Sequence, residues 1–407
     1  MQTRKKSMSI LYNGVEAWQQ LFPYLEQFSY VDSVDESDQI SLSVSDRDLN
    51  WVNSWMPKTG DLLLPSVTLE NWNYEGERAL LECGSFVVDD FRFSSPPLKG
   101  TINGVSAPVN SGFKETENSK IWKDATVQLI AGEIAGKYGM ALVYDADSDI
   151  PVAKIEQSQQ PDSDFLKKLC SKYGLGLKVY SNRLIVWDYR KYSKQPPIIT
   201  LKPADVSKWS YNSSSQGTYT GAKVSYTVPG KKEMVEVLVG TEERLFRTSQ
   251  KADNEEDARR IGESALLEAN RKECTMQLTL PPRLFLVATK TVMLSEFGSM
   301  DGPYFIEKVS HSIGRKSYGM QLFLSRVAEP VKGLQLPAEN EKRREDYVVK
   351  KGDTLMELAQ KFYGDAYQYR KLYDANKEAI EADARRHGKG SSQNGYWIWP
   401  GLVISIP

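Results

Sequence analysis

The side chains that most enzymes use for nucleophilic or metal chemistry are scarce in this sequence. It contains 2 histidines, His311 and His387, and neither is near a nucleophile motif such as Gly-x-Ser-x-Gly. The 3 cysteines, Cys83, Cys170 and Cys274, are about a hundred residues apart and form no Cys-x-x-Cys pair for zinc. Their odd number also argues against a disulfide framework. We therefore expect reduced, buried thiols, no metal site, no cofactor and no histidine-based catalysis.

One acidic segment has the spacing of a calcium-binding loop. Asp145, Asp147 and Asp149 alternate along the chain, and Glu156 occupies the twelfth position, as in an EF-hand. The sixth position holds Ile150, where that loop needs glycine for a sharp turn, and a strand rather than a helix precedes the segment. An acidic surface loop is the favoured interpretation.

Two further short patterns are set aside for geometric reasons. Asp89 and Asp90 are adjacent on a predicted strand, so their carboxylates point to opposite faces and cannot flank one glycosidic bond. Gly174-Leu-Gly176 resembles the start of a dinucleotide-binding fingerprint, but it follows a helix and lacks the third glycine. The chain has 53 acidic residues, so a carboxylate pair that meets only in the folded protein stays open, and with it a hydrolase activity.

The composition indicates a multidomain globular chain without an electrostatic preference for anionic partners. The sequence has 407 residues, 52 basic and 53 acidic side chains, a formal charge of -1 and a pI near 6.3. This length predicts about two to four domains, and the balanced charge gives no long-range field for nucleic acid or a membrane surface. No stretch has the length and apolar character of a membrane span, and the basic N-terminus lacks the apolar region of a signal peptide. We therefore expect a protein made and kept in the cytoplasm.

Hydrophobic periodicity divides most of the chain into a β region, an α/β region and a second β region. Alternate residues from Ile40 to Val44 are apolar, in a region rich in turn signals, which predicts a β domain at 1–115, a small barrel or a sandwich. Residues 116–192 contain two helical stripes, each followed by an apolar strand, and are predicted to form an α/β insert. Alternation returns at 193–327 and predicts a second β domain, which the family resemblance given below implies to be a small β-barrel like the first. The predicted fold class is α+β, mainly β.

The two helices of the insert are predicted to start and stop in the same way. The first begins at Val127, behind a cap at Asp124 or Thr126, and ends at Gly139. The second begins behind Ser163 and ends at Gly174. Both glycines are expected to take the left-handed conformation that turns a helix into the following strand.

A linker and a small module are predicted at the C-terminal end of the sequence. Residues 328–346 contain two prolines, a glycine and a charged run, which is typical of a linker. In 347–407 a short strand precedes a helix with a Thr354/Glu357 capping box, a second helix with Asn376 near its end, and a closing strand. The predicted order is β-α-α-β.

The C-terminal module resembles a LysM domain. The resemblance rests on Tyr347-x-Val-x-x-Gly-Asp-Thr-Leu at its start, Asn376 after the second helix, and Pro400-Gly-x-x-Ile-x-Ile-Pro at its end. It implies a shallow groove for N-acetylglucosamine-containing glycans such as peptidoglycan, between the loop after the first strand and the loop before the last. The implied glycan-binding residues are Gly352, Asp353, Thr354, Leu355, Asn376, Ile398, Pro400 and Gly401.

One departure from that family concerns the segment before the closing strand. Twenty residues separate Asn376 from Trp397, where the family usually has fewer. The part at 381–395 is rich in charge, glycine and serine, and it is placed to cover or reshape the groove. The alternative to sugar binding is that the module is a connector that binds another protein.

Residues 10–327 resemble the late control protein D family of phages of Gram-positive bacteria. The resemblance is spread over short runs: Phe22-Pro-Tyr-Leu25, Asp46-Arg-Asp48, Cys83-Gly-x-Phe86, Phe165-Leu-x-x-Leu-Cys170 and Tyr173-Gly-Leu175. Members of that family are baseplate hub proteins of contractile tails, related in fold to the N-terminal part of VgrG. The resemblance implies a homotrimer whose six barrels form a ring of pseudo-sixfold symmetry, which joins the sixfold tail tube to the threefold spike.

The sequence thus predicts a structural baseplate hub protein, not an enzyme, of a contractile phage tail or phage-tail-like injection particle. Its expected partners are other copies of itself, the tail tube protein and the spike protein, with the tape measure protein and peptidoglycan as further candidates. It is expected in the bacterial cytoplasm during assembly and then in the tail of the virion or particle. Two alternatives stay open: a LysM-targeted peptidoglycan hydrolase associated with the tail, and an adhesin that binds the cell wall.

Overall fold

The structure, a computed structural model of the 407-residue chain, separates into two compact units, Met1–Lys332 and Gly333–Pro407. We call them the first unit and the second unit. The structure describes residues 3–107, 112–214, 218–227, 234–248, 250, 252–315, 317–327, 345–350, 352–363, 369–393 and 395–406. Residues 328–344 of the predicted linker lie outside these ranges, as does the predicted turn at Pro229-Gly230.

The described part of the first unit is mainly β, as predicted, with five α-helices. Its strands are β1 (Lys5–Tyr12), β2 (Val15–Glu16), β3 (Leu25–Ser33), β4 (Gln39–Ser45), β5 (Leu62–Glu70), β6 (Arg78–Glu82), β7 (Phe86–Ser94), β8 (Lys99–Val105), β9 (Glu117–Thr126), β10 (Ala141–Asp145), β11 (Pro151–Pro161), β12 (Leu175–Tyr180), β13 (Arg183–Asp188), β14 (Thr200–Leu201), β15 (Lys208–Ser213), β16 (Gly221–Thr227), β17 (Met234–Gly240), β18 (Leu245–Arg247), β19 (Cys274–Leu280), β20 (Thr291–Leu294), β21 (Gly302–Gly314) and β22 (Tyr318–Arg326). Its α-helices in the described part of the chain are α1 (Trp18–Leu21), α2 (Val127–Lys137), α3 (Asp162–Lys172), α4 (Tyr189–Ser193) and α5 (Glu255–Asn270).

One 14-stranded sheet combines the two β regions of the first unit. Its main path runs β15-β19-β22-β21-β3-β4-β8-β7-β5-β1-β2, with β6, β14 and β20 attached beside it. The prediction of two separate small barrels was wrong, because the pairing of the described strands closes no barrel. The reason is strand β21, which has 13 residues and pairs with β20 through Gly302–Phe305 and with β3 through Lys308–Gly314.

Alternation along β4 gives the pattern that the sequence predicts for a half-buried strand. Ile40, Leu42 and Val44 are buried in the core, and the serines between them are half-buried. That core fills the N-terminal half of the sheet, and a second apolar cluster around Leu278, Leu322 and other residues of β19–β22 fills the other half. Each half of the sheet therefore keeps its own core although the strands are continuous.

Helix α2 begins as the sequence predicts and both insert helices end as predicted, but α3 begins at Asp162, so Ser163 lies inside the helix and does not precede it. Of the two candidate caps, Thr126 takes the role, since its Oγ1 accepts a hydrogen bond from the Leu129 N–H at 3.2 Å. Gly139 and Gly174 follow the helices with φ of 65° and 72°, in the left-handed region. The chain can therefore reverse directly into the strands that follow.

The insert core also takes in residues from beyond position 192. The antiparallel strands β16 and β17 and helix α5 contribute Val224, Val237, Ala258 and Ile261 to the same apolar cluster as α2 and α3. Helix α5 lies close to the hairpin at Gly262, where an added Cβ would come within 2.9 Å of Val239. The division of the first unit at 115 and 192 stays a prediction.

The second unit contains strand, helix, helix and strand in the predicted order. They are β23 (Glu345–Val348), α6 (Leu355–Tyr363), α7 (Tyr369–Arg386) and β24 (Val403–Ile406), and β23 pairs antiparallel with β24. The sequence predicted that the second helix ends near Asn376, and this was wrong. Helix α7 continues for ten more residues, to Arg386. Ile380 and Ala384 explain this, because they extend the buried stripe of Leu372 and Asn376 at four-residue spacing.

Candidate binding sites

The two loops that the sequence predicts as a glycan groove meet at one end of the β23–β24 pair. Val349 follows β23, and its N–H donates to Leu402 O at 2.8 Å. The Gly401 N–H in turn donates to Val349 O at 2.8 Å. The segment from Gly352 to Thr354 therefore leaves the sheet beside the turn that contains Pro400 and Gly401.

Local hydrogen bonds hold the first of these loops. The Glu357 N–H donates to Thr354 Oγ1 at 3.2 Å and the Thr354 N–H donates to Glu357 Oε2 at 3.1 Å, which completes the predicted capping box. The Asp353 carboxylate accepts from the Lys350 N–H at 2.8 Å and from the Tyr347 hydroxyl at 2.9 Å, and the first of these bonds lowers its pKa. Gly352 and Thr354 are exposed.

Two of the predicted glycan-binding residues lie in the core below the loops. Leu355 is buried in the apolar cluster of the second unit. Asn376 is also buried, and its side-chain amide donates to Leu372 O at 2.9 Å and to Ser405 O at 2.8 Å. Its Oδ1 accepts from the Ser405 N–H at 2.7 Å. Asn376 thus ties β24 to α7, while Ile398, Pro400 and Gly401 remain at least partly accessible.

Replacement of Asn376 by alanine is expected to open the second unit locally. The change leaves the N–H and C=O of Ser405 without partners, which costs about 2–3 kcal/mol. Amide hydrogen exchange measured by NMR should show a loss of protection at Ser405 of about 30- to 150-fold. Lys377→Ala, an exposed neighbour on the same helix, is the control and should leave protection unchanged; equal protection in both variants would contradict this role.

An aromatic row, exposed at Tyr396 and Trp397 and half-buried at Trp399, adjoins the second loop and was missed by sequence reasoning. It consists of His387, Tyr396, Trp397 and Trp399. The His387 and Trp399 rings stack with centroids 4.5 Å apart and planes 4° apart, and Trp397 lies 6.4 Å from Trp399. The three aromatic residues before Pro400 were the signal in the sequence that would have indicated this row.

The segment between α7 and the aromatic row is anchored by Glu381. Its carboxylate accepts hydrogen bonds from the Tyr373 hydroxyl at 2.9 Å, from the Ser392 N–H at 3.1 Å and from the Ser392 hydroxyl. Ser392 Oγ also accepts from the Gly395 N–H at 2.9 Å. The predicted extension at 381–395 is therefore part helix and part a loop fixed to that helix.

In the first unit, a buried cluster of charges connects the insert to the sheet. Lys178 on β12 hydrogen-bonds Asp32, and its Nζ lies 2.8 Å from Asp38 Oδ1. Asp32 Oδ2 also accepts from the Ala288 N–H at 2.7 Å. Burial raises the pKa of Asp38 to about 7, and the two carboxylates outweigh the effect of burial on Lys178 and raise its pKa.

A second cluster surrounds Arg271, at the end of α5. Its guanidinium pairs with Asp35, with Glu268 at 3.4 Å and with Glu307 at 3.6 Å, and it lies over the Tyr189 ring at 5.3 Å. Burial raises the pKa of both Glu268 and Glu307. Together the two clusters fix the insert and α5 against strands from both halves of the sheet.

The other described residues whose side chains could take part in chemistry have structural roles. His311 is buried, stacks on Tyr30 at 5.8 Å and forms a hydrogen bond with the Tyr318 hydroxyl at 2.9 Å. Asp145 of the proposed acidic loop pairs with Lys191 at 2.5 Å. No group of three or more His, Cys, Asp or Glu side chains within the described ranges is placed to hold a metal ion.

The cysteines differ in their exposure. Cys83 and Cys170 are buried, and burial raises the pKa of both thiols, to about 12 for Cys170. Cys274 is half-buried beside Ser213 on the edge strand β15, so the expectation of three buried thiols was wrong for this residue. Cys274 is the first residue of β19 and lies beyond the part of β19 that pairs with β22, so within the sheet only β15 adjoins it. Among the helices that the structure describes, none has the length and apolar character needed to cross a membrane.

Comparison with known proteins relates this fold to tail proteins. No family model matches the chain. Over 100 residues, 23% of this chain and 44% of the relative, it is 39% identical to the uncharacterized protein YqbP of Bacillus subtilis strain 168. Over 202 residues, 47% of this chain and 48% of the relative, it is 29% identical to a probable baseplate hub protein of Escherichia phage 186. The chain spans about half the length of the curated relatives it matches.

A solved structure shows the same fold. The crystal structure of a tail protein of Neisseria meningitidis MC58 matches with a TM-score of 0.59 and 14% sequence identity, over 79% of this chain and 96% of that chain. With 14% sequence identity, this match shows a shared fold only. The chain is similar to baseplate hub and tail proteins.

Proposed function

We propose that this chain is a structural baseplate hub protein of a contractile phage tail or phage-tail-like injection particle. The similarity to a probable baseplate hub protein of phage 186 carries the proposal. The similarity in fold to a tail protein supports it. The buried charged clusters support it as well, because their role in this molecule is structural. The described carboxylates of both clusters hold the insert and the sheet together.

In this proposal the protein is a homotrimer that adapts the sixfold tail tube to the threefold spike. The sheet has two halves, each with its own core, and β21 joins them. Three chains would present six such halves to the tube and three equivalent faces to the spike. The tube and spike proteins are its proposed partners, with the tape measure protein as a further one, and the tail is its final location.

The oligomeric state tests this assignment. We expect light scattering at tens of micromolar to give three times the chain mass of 46.0 kDa, and captured tube or spike protein to co-elute with the trimer. A chain that lacks residues 345–407 should form the same trimer, because the proposed subunit contacts lie in the first unit. A monomer that binds neither tube nor spike protein would remove the hub function.

For the second unit we propose a LysM module that binds N-acetylglucosamine glycans of peptidoglycan. The observation that favours it is the meeting of the two predicted loops at one end of the β23–β24 pair. Gly352, Asp353 and Thr354 would contact the sugar from one side and the turn with Ile398, Pro400 and Gly401 from the other. Leu355 and Asn376 would position these loops from below.

Retention on insoluble peptidoglycan tests this role of the second unit. We expect Ile398→Lys to weaken retention at least tenfold, since it places a charge where a partly buried apolar side chain packs against the core of the second unit, beside the proposed sugar contacts. Met356→Lys, on the exposed side of α6, is the matched control and should bind like the native chain. Equal retention of all three proteins would favour a connector that binds a tail protein. The suspension should not clear, as it would with a hydrolase.

A further inference from the structure

The aromatic row of the second unit is held in place by the segment that precedes it. Gly395, directly before Tyr396, is buried and has a φ of 83°. A Cβ at this position would come within 2.3 Å of Leu355 Cδ1, so the close approach requires glycine. The Trp397 N–H donates a hydrogen bond to Ser392 O at 3.0 Å. The row therefore starts from a fixed point on the core.

The same contact places the row beside the proposed glycan loops. Leu355 directly follows Thr354 of the first loop, and Gly395 packs on its side chain. At the other end of the row, Trp399 directly precedes Pro400 of the second loop. The row therefore borders both loops, and a glycan held between them has aromatic surface next to it.

The rings of the row expose more surface than a role in the core requires. Ile398 packs on the core of the second unit, whereas Tyr396 and Trp397 are 73% and 39% exposed. Trp397 lies 6.4 Å from Trp399 with ring planes 24° apart, and His387 stacks on Trp399. Contiguous exposed aromatic surface is typical of binding sites.

Polar groups border this aromatic surface. The Lys389 ammonium lies 4.9 Å from the centre of the Trp397 ring. The ammonium, the Tyr396 hydroxyl and His387 Nε2 have no hydrogen-bond partner among the described residues. All three can form hydrogen bonds with hydroxyl groups. A pyranose has the matching composition, with C–H groups on its faces and hydroxyls around its edge, so the row suits a sugar ring better than an apolar protein surface.

We propose that the aromatic row is a second sugar subsite, which binds the continuation of a glycan strand held between the two loops. A pyranose ring stacks on Trp397, and the Lys389 ammonium moves from the ring face to the hydroxyls of the sugar. The Tyr396 hydroxyl bonds the same strand. The ligand of the second unit is therefore a linear glycan of several sugars. This inference rests on the proposed glycan binding and specifies its ligand.

Calorimetric titration of the full chain with a three-sugar and a six-sugar oligomer of N-acetylglucosamine tests the subsite. We expect Trp397→Ala to weaken the six-sugar oligomer about tenfold and to leave the three-sugar oligomer unchanged, because only the longer ligand reaches the row. Trp397→Phe keeps an aromatic face and should retain most of the affinity. Tyr74→Ala removes an exposed aromatic residue of the first unit and is the control, with both affinities as in the native chain.

The outcomes separate the subsite from glycan binding itself. If neither oligomer binds the native chain, the proposed glycan function fails and the subsite fails with it. If the native chain binds both oligomers equally, or if Trp397→Ala weakens both to the same extent, the subsite is overturned while glycan binding stands. Weaker binding of the six-sugar oligomer alone, restored in Trp397→Phe, supports the subsite.

Discussion

Replacing Lys178 by methionine is expected to lower the free energy of unfolding of the first unit by about 3–5 kcal/mol at pH 8. Methionine keeps the length and apolar stem of lysine but removes its charge. Asp32 and Asp38 are both buried, and Lys178 contacts both. Without it, two carboxylates face each other with no cation between them, and an uncompensated buried charge is costly.

Thiol reactivity measures this change in the first unit alone. The chain's 3 cysteines all precede residue 333, and Cys83 and Cys170 are buried, so their labelling by a thiol reagent reports opening of that unit. Cys274→Ser in every variant removes the reactive background of the half-buried thiol. The unfolding free energy then follows from the labelling rates without interference from the second unit.

Two comparisons make the Lys178 result specific. Lys99→Met breaks a surface pair with Glu26 at 3.1 Å and should change stability by no more than about 0.5 kcal/mol. Lys178→Met combined with Asp32→Asn and Asp38→Asn should recover more than half of the loss. At pH 5 the loss should also be smaller, since the pKa of Asp38 is about 7 and its carboxyl is then neutral. If Lys178→Met lowered the free energy of unfolding by less than about 1 kcal/mol at pH 8, Lys178 would not be needed to compensate the two buried carboxylates.

His311 is expected to make the first unit less stable as the pH falls from 6.5 to 4. Burial lowers the pKa of His311 from 6.5 to about 4 in the folded chain. Between these values the unfolded chain binds a proton that the folded chain does not, so stability falls with pH across this window. The contribution of the neutral imidazole is complete above pH 6.5 and amounts to about 3 kcal/mol, all of it lost below pH 4.

Asp38 has the opposite effect on the stability of the first unit, in a pH range that overlaps with that of His311. Its pKa is raised to about 7, so the folded chain binds a proton more readily than the unfolded chain, and stability rises as the pH falls below 7. The pH profile of the native protein is therefore flatter than either group alone predicts. The contribution of His311 is therefore obtained only from the difference in stability between the native chain and a His311 variant, measured as a function of pH.

His311→Asn keeps a group that can bond the Tyr318 hydroxyl but cannot take up the proton. The variant should be less stable than the native chain at pH 7.5, because packing against Tyr30 is lost. That gap should narrow by about 3 kcal/mol at pH 4, measured by labelling of Cys83 with 4,4′-dithiodipyridine, which reacts in acid. The control is His387→Asn, which replaces the exposed histidine of the second unit. It should leave the stability of the first unit unchanged at both pH values. A gap that is constant with pH would exclude His311 as the titrating group.

Sequence patterns predicted the features whose causes lie within a few residues. The alternation of Ile40, Leu42 and Val44, the left-handed glycines after α2 and α3, and the Thr354/Glu357 box all depend on local spacing and backbone preference. The order β-α-α-β of the second unit follows from the same signals. The extra turns of α7 were also present in the sequence as Ile380 and Ala384, but the position of Asn376 suggested an earlier end.

The candidate sites were only partly visible in the sequence. The two loops of the second unit carry recognisable residues, and β23–β24 pairing brings them together. The burial of Asn376 and the stacking of His387 on Trp399 were not predictable, because each depends on a partner more than ten residues away.

The sequence by itself determined the chemistry that this protein has at its disposal: few histidines and cysteines, balanced charge, and helices and strands with readable starts and stops. Only the tertiary structure decided that β21 merges the two β regions into one sheet and that Lys178 neutralises carboxylates 140 or more residues away along the chain. The physical reason is that periodicity and capping act over a few residues. Strand pairing and buried charges bring together distant residues, and their positions depend on the packing of the whole unit.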